Sequence, residues 1–171
     1  TMRGVRQHPR LLPGVTLPAD IGVTADAAAA LAGADLVVVA IPSVGLTDQL
    51  RRWGAAVPSD ATVASLTKGF DAEGARTPSA AIIDELDCAS DRVVVVSGPN
   101  LASEVAAGRP SATVAACPGS GRAEIVQAAA TSDAFRVYTN PDRVGVELAG
   151  IVKNVLAIVA GAAQGRGLGD N

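Results

Sequence analysis

The feature that most constrains this chain is the alternation of short Val-rich runs with Ala-rich amphipathic stretches. Residues 35–41, 62–66, 92–96, 112–116 and 135–138 read as strands. Between them, residues 25–32, 46–56, 78–86, 100–107 and 122–130 read as helices. The first and third strands are near-continuous Val runs (Val37, Val38 and Val39; Val93, Val94, Val95 and Val96), the pattern of strands buried on both faces of a parallel sheet. In 78–86, Ala81, Ile82 and Leu86 share a face, while Asp84, Glu85 and the following Asp87 lie largely on the other. Strand–helix alternation at this spacing defines an α/β fold with mostly parallel pairing, a Rossmann-like sheet.

The pattern changes near residue 140. Asn140-Pro141-Asp142 reads as a helix start, with Asn as N-cap and Pro in the first turn. A long helical run over 144–164 follows, with no strand after it, so residues 1–139 and 140–171 are expected to be two units. Ser97-Gly98-Pro99 signals another helix start, with Pro99 at its first position. The length of 171 residues otherwise suits about one domain, at the usual ~100–200 residues each.

Several function classes fall away. Fourteen basic against 17 acidic residues give a net charge of −3, and no Lys/Arg-rich run occurs, which argues against nucleic-acid binding. Four aromatics (Trp53, Phe70, Phe135 and Tyr138) are too few for a base-stacking platform. One histidine, His8, and two cysteines, Cys88 and Cys117, cannot assemble a Cys/His zinc site or a disulfide framework, so no metal is expected. The polar start carries no signal-peptide core. The longest apolar run, 148–163, is broken by Lys153 and Asn154 and is shorter than the ~20 residues of a membrane span. The cytoplasm is the default location.

Motifs are sparse. No GxGxxG precedes a first helix; Gly119-Ser120-Gly121 has Glu124 where a third glycine would stand, and the glycines at 165, 167 and 169 read as a helix stop. Ser65-Leu66-Thr67-Lys68 fits an SxxK pattern but places the serine in a strand, without the partner motifs that chemistry needs. Three other places carry chemistry. Lys68 lies just past the carboxyl end of a strand, the edge where open α/β sheets bind ligands. The turn at Gly98, running on to Asn100, would let a ligand approach the backbone closely. Lys153 is the only charged residue between Glu147 and Arg166, in a helix apolar on nearly every face. Such a helix is expected to be buried, and desolvation would then make this lysine usable as a general acid or base. Asn154 adds a donor and an acceptor beside it.

Five segments, in order and at matching spacing, resemble the bacterial NAD(P)-dependent glycerol-3-phosphate dehydrogenases. They are His8-Pro-Arg-Leu-Leu-Pro-Gly14, Thr67-Lys68-Gly69, the stretch from Ser97 to Glu104, the stretch from Phe135 to Asp142, and Gly145-Val-Glu-Leu-Ala-Gly-Ile-Val-Lys-Asn154 with its continuation to Gly161. The resemblance implies an enzyme that interconverts dihydroxyacetone phosphate and sn-glycerol 3-phosphate with NADPH or NADH, feeding glycerophospholipid synthesis. It implies that Lys153 is the proton donor and acceptor and that Lys68 contacts both cofactor and substrate. Gly98, Asn100 and Asn154 are implied on the substrate side, and Ala102 on the cofactor side. Asn100 stands where many members carry Ser or Thr, and Val44 where many carry His, so no cofactor role passes to Val44. The family's N-terminal GxGxxG unit and most of its C-terminal helical domain have no counterpart here, so the resemblance implies an internal piece of such an enzyme. Its partners would be a phosphorylated small molecule and, as a homodimer, a second copy. Two other readings stay open: a related two-domain hydroxy-acid dehydrogenase, or a non-catalytic relative binding a nucleotide or a partner. Related hydroxy-acid enzymes space the lysine and asparagine four apart, whereas here they are adjacent.

Overall fold

The computed structural model describes residues 2–71, 75–119 and 121–168. In chain order the elements are α1 (Met2–Val5), α2 (Ala27–Leu31), β1 (Leu36–Val39), α3 (Leu46–Trp53), β2 (Thr62–Ser65), α4 (Pro78–Leu86), β3 (Val93–Ser97), α5 (Ala102–Ala106), β4 (Ser111–Ala116), α6 (Arg122–Ala130), β5 (Phe135–Asn140) and α7 (Arg143–Gly165). The strands form one sheet in the order β1-β2-β3-β4-β5. All neighbours run parallel except β3 and β4, which pair antiparallel through Val95–Ala116 and Ser97–Val114. The α/β alternation and mostly parallel sheet expected from the Val runs are therefore observed.

Period-two alternation sends neighbouring strand residues to opposite cores. Val39, Val63 and Val93 pack with Leu46 and Leu50 of α3 and Ala81 and Ile82 of α4. Ala64, Val94, Ala115 and Val137 pack with Ala123 and Val126 of α6 on the other face. β3 thus has wholly buried valines on both sides, which is why its sequence shows no polar alternation.

Several boundaries differ from the sequence reading, for local hydrogen-bonding reasons. Asn140 does not cap α7; its Oδ1 accepts from the Asp142 backbone N–H at 2.7 Å, an Asx turn that delays the helix by two residues. Asp142 is the cap, accepting from the Gly145 N–H at 2.8 Å. A Cβ at Gly145 would fall 2.2 Å from the Asp142 carboxylate, so a larger residue there would make that side chain turn aside. Pro99 does not open a helix either: Pro99 and Asn100 stay in a turn, and α5 begins at Ala102. The stretch expected to be helical to residue 56 is α-helical to Trp53 and finishes as a 3-10 turn. Gly167, at φ +70, ends α7 as a helix-stop glycine should, while Gly169 lies outside the described residues.

The largest departure concerns α7. A helix apolar all round was expected to be buried, yet Glu147 is its one buried residue and Ile158 is 72 % exposed. The first turns pack on β3 and β4, and the helix then runs beyond the sheet, where no described element covers it. At 23 residues it is also longer than the apolar run read from the sequence, and by length and composition alone it could cross a membrane.

Candidate active site

The site grows from two strand ends and one helix. After β2, the Thr67 hydroxyl donates to the Ile41 carbonyl at 2.9 Å, tying this loop to the one that follows β1. Two residues on, Gly69 sits at φ +111, a conformation that favours glycine, with its Cβ position 2.7 Å from the Ser43 hydroxyl. Beyond it, Arg76 pairs with buried Asp71 at 3.1 Å and with Asp84 of α4 at 2.8 Å. Lys68 lies between the first two anchors and donates from Nζ to the Gly98 carbonyl at 3.1 Å. Partial desolvation, and then the positive charge of Lys153, hold its pKa below the ordinary lysine value.

Gly98 follows β3 and is boxed in by oxygens. A Cβ there would meet the Ala112 carbonyl and the Thr113 hydroxyl at 2.8 Å and the Asn100 Oδ1 at 2.9 Å. Asn100 is held by its Nδ2, which donates to the Ala112 carbonyl at 2.8 Å. A cavity of about 480 Å³ opens beside this turn, lined by Lys68, Gly98, Asn100 and Ala102 together with Leu66 and Thr113. A second, of about 250 Å³, lies against the same turn and is lined by Ser97, Gly98, Pro99, Gly150 and Lys153. Gly98 is the wall they share.

The structure therefore brings Lys68, Gly98, Asn100 and Ala102 to one cavity, and Lys153 to the adjoining one. Asn154, the next residue on α7, is exposed and lines neither. Val146, Ala149, Gly150 and Lys153 form the stripe facing the second cavity, the i, i+3, i+4, i+7 spacing of one helix face. Lys153 is exposed, so the burial expected for it from the apolar helix is not observed.

Sequence reasoning missed three contributors. Buried Glu147 of α7 accepts hydrogen bonds from the backbone N–H and the hydroxyl of Ser79. Gly150 passes so close to β3 that a Cβ would fall 2.3 Å from the Ser97 hydroxyl. Thr113, in the first cavity's wall, has a buried hydroxyl without a protein partner. Glu147 did carry a signal, as the lone acid in an apolar helix; its partner, 68 residues away, carried none.

A nicotinamide dinucleotide asks for an apolar slot, a backbone it can approach closely and a cation for its negative charge. The larger cavity supplies these through Leu66 and Ala102, through Gly98, where no Cβ fits, and through Lys68. The residues present fit that group.

An open, mostly parallel sheet with its cleft at the carboxyl ends of β2 and β3 defines the class: a Rossmann-like dinucleotide-binding fold. Comparison with known proteins narrows it. A profile described as the NAD-dependent glycerol-3-phosphate dehydrogenase N-terminus matches residues 1–123, and one described as the C-terminus matches residues 142–171. The chain belongs to the NAD-dependent glycerol-3-phosphate dehydrogenase family. It is 46 % identical over 171 residues to glycerol-3-phosphate dehydrogenase (NAD(P)+) of Corynebacterium glutamicum, covering all of this chain and 52 % of that protein. Glycerol-3-phosphate dehydrogenase (NAD(P)+) 2 of Mycobacterium tuberculosis is 45 % identical over 166 residues, 97 % of this chain and 50 % of that one. The crystal structure of glycerol-3-phosphate dehydrogenase from Coxiella burnetii superposes with a TM-score of 0.85 at 34 % identity, covering 99 % of this chain and 51 % of that one. The chain spans about half the length of the curated relatives it matches.

Proposed function

We propose that this chain supplies the catalytic lysine pair of an NAD(P)H-dependent oxidoreductase that interconverts dihydroxyacetone phosphate and sn-glycerol 3-phosphate, feeding glycerophospholipid synthesis. The observation that carries the reading is the convergence of Lys68 and Lys153 on opposite sides of the Gly98 turn. The family match and the names of the relatives support the substrate. Residues 1–139 would form the nucleotide-binding part and 140–171 the start of the helical substrate domain, a division supported by where the two profiles match.

NADPH or NADH, when bound, supplies the hydride. Lys153 holds a proton at Nζ and delivers it to the carbonyl oxygen as that oxygen becomes an alkoxide; in the oxidising direction it takes the proton back. Lys68 sits between the two ligands, its ammonium oriented by the Gly98 carbonyl, and offers positive charge to the substrate oxygens and to the cofactor. Gly98 and Asn100 shape the substrate side and Ala102 the cofactor side; Asn154 lines neither cavity, and its assignment to the substrate rests on the family resemblance alone. A cytoplasmic homodimer completes the proposal; the exposed apolar stripe of α7 is the surface that supports association.

The test is a full-length enzyme in which residues 1–171 replace the matching half of the Corynebacterium relative. Lys153→Ala should lower kcat by about 10²–10⁴-fold, the usual worth of general acid catalysis, with the NADPH Kd unchanged. A variant that turns over like the parent would remove Lys153 from the chemistry.

A further inference from the structure

We infer that Glu147 is a positioning residue for Lys153, acting through the roll of α7 about its own axis; the inference rests on the reaction proposed above. Three contacts dock the start of this helix, at positions 143, 147 and 150, one face by their i, i+4, i+7 spacing. The Arg143 guanidinium donates to the carbonyls of Ser90 and Val93. Glu147, 4 % exposed, accepts from the Ser79 backbone N–H at 2.8 Å through Oε1 and from the Ser79 hydroxyl at 2.5 Å through Oε2. Gly150 lies against Ser97.

These contacts differ in what they constrain. The Arg143 bonds hold the first residue of the helix, and the Gly150 approach limits only how near the axis comes to β3. Glu147 bonds through both carboxylate oxygens to a second helix: its partner, Ser79, sits in the first turn of α4, whose N–H groups have no helical acceptors. A carboxylate placed there satisfies both its oxygens and complements the helix dipole. That clamp fixes the rotation of α7, and Lys153 stands about 9 Å further along the axis at 1.5 Å per residue. A roll of about 20° would move a side-chain tip by about 2 Å at the ~5–6 Å radius of a helix. Val155, Leu156, Ile158 and Val159 are exposed, so among the described residues the roll of the helix is set by its docked first turns.

In the same full-length enzyme, Glu147→Ala should lower kcat by about 10–100-fold, the order of loss that a displacement of about 1 Å produces, with the NADPH Kd unchanged. Glu147→Gln can still accept from the Ser79 N–H and donate to its hydroxyl, so it should restore most of the turnover. In a Lys153→Ala background, Glu147→Ala should have no further effect on kcat. A purely structural clamp would lower the melting temperature but leave kcat per folded molecule intact. Folded Glu147→Ala enzyme with parental kcat would overturn the inference, as would an equal loss in the Lys153→Ala background. Should Glu147→Ala not fold, Ser79→Ala removes only the hydroxyl bond and must show a smaller loss in the same direction; parental kcat there is equally fatal. Parental kcat in Lys153→Ala itself would instead sink the proposed reaction, so the two failures are distinguishable.

Discussion

Val93 and Val94, at the centre of the sheet, are wholly buried, whereas Ile158 and Val159, no less apolar, are 72 % and 61 % exposed on the far half of α7. The α/β body and the distal helix draw on the same side chains. What separates them is geometry. A strand inside a sheet has α3 and α4 on one face and α6 on the other, while the second half of α7 has left the sheet behind. Apolarity therefore states what a segment needs, and topology decides whether the described residues supply it.

Paired truncations, one in each region, test the difference most directly. Ile82→Ala should destabilise the chain by about 2–5 kcal/mol, the usual cost of a cavity in a packed core. Ile158→Ala should stay within about 0.5 kcal/mol, as surface changes do. Urea midpoints at unchanged slope are the measurement; equal losses would mean that the distal helix is packed in solution.

Glycines on the two halves of α7 sharpen the contrast. Gly150→Ala puts a Cβ 2.3 Å from the Ser97 hydroxyl, which must rotate away, at the low end of overpacking costs, about 1 kcal/mol. Gly161→Ala meets nothing within 4 Å and should stabilise by about 0.5–1 kcal/mol through helix propensity alone. Opposite signs in thermal melts are the expected result; the same sign for both would erase the boundary between docked and free helix.

The smallest expected effect reads the electrostatic link across that boundary. Lys153→Met removes a positive charge near Lys68, so the Lys68 pKa should rise, though not to the ordinary lysine value, because partial desolvation remains. Since the native pKa is lowered, the Lys68 ammonium loses its proton at a lower pH in the parent than in the variant. An NMR titration of the lysine Nζ resonances would show the midpoint moving upward, and an unmoved midpoint would mean the two ammonium groups do not sense each other.

Much of this was legible in the sequence because it is encoded locally. The Val runs at β1 and β3, the helix face of α4 and the placement of Lys68 past a strand all follow from spacing within about ten residues. What was illegible depends on partners far along the chain. Whether α7 is buried is a tertiary question, and the amphipathic count around Lys153 could not reveal that its neighbours lie beyond the sheet. The Glu147–Ser79 clamp joins residues 68 apart. The antiparallel step from β3 to β4 is set by a short excursion through α5, which strand composition does not record. The displaced start of α7 is decided by the side-chain hydrogen bonds of Asn140 and Asp142, which favour neighbouring residues by too little for a pattern to register.

The loop that carries Lys68 has a thermodynamic consequence of its own. Thr67 is fastened to Ile41 on one side and Gly69 is pressed against Ser43 on the other, so the lysine projects from a backbone already fixed at both neighbours. Ordering a mobile loop around an incoming anion would subtract from affinity through lost chain entropy, and here little of that ordering is left to do. Binding at this loop should therefore proceed without the slow rearrangement typical of a closing flap, and backbone order parameters at residues 67–69 should already be high before any ligand arrives.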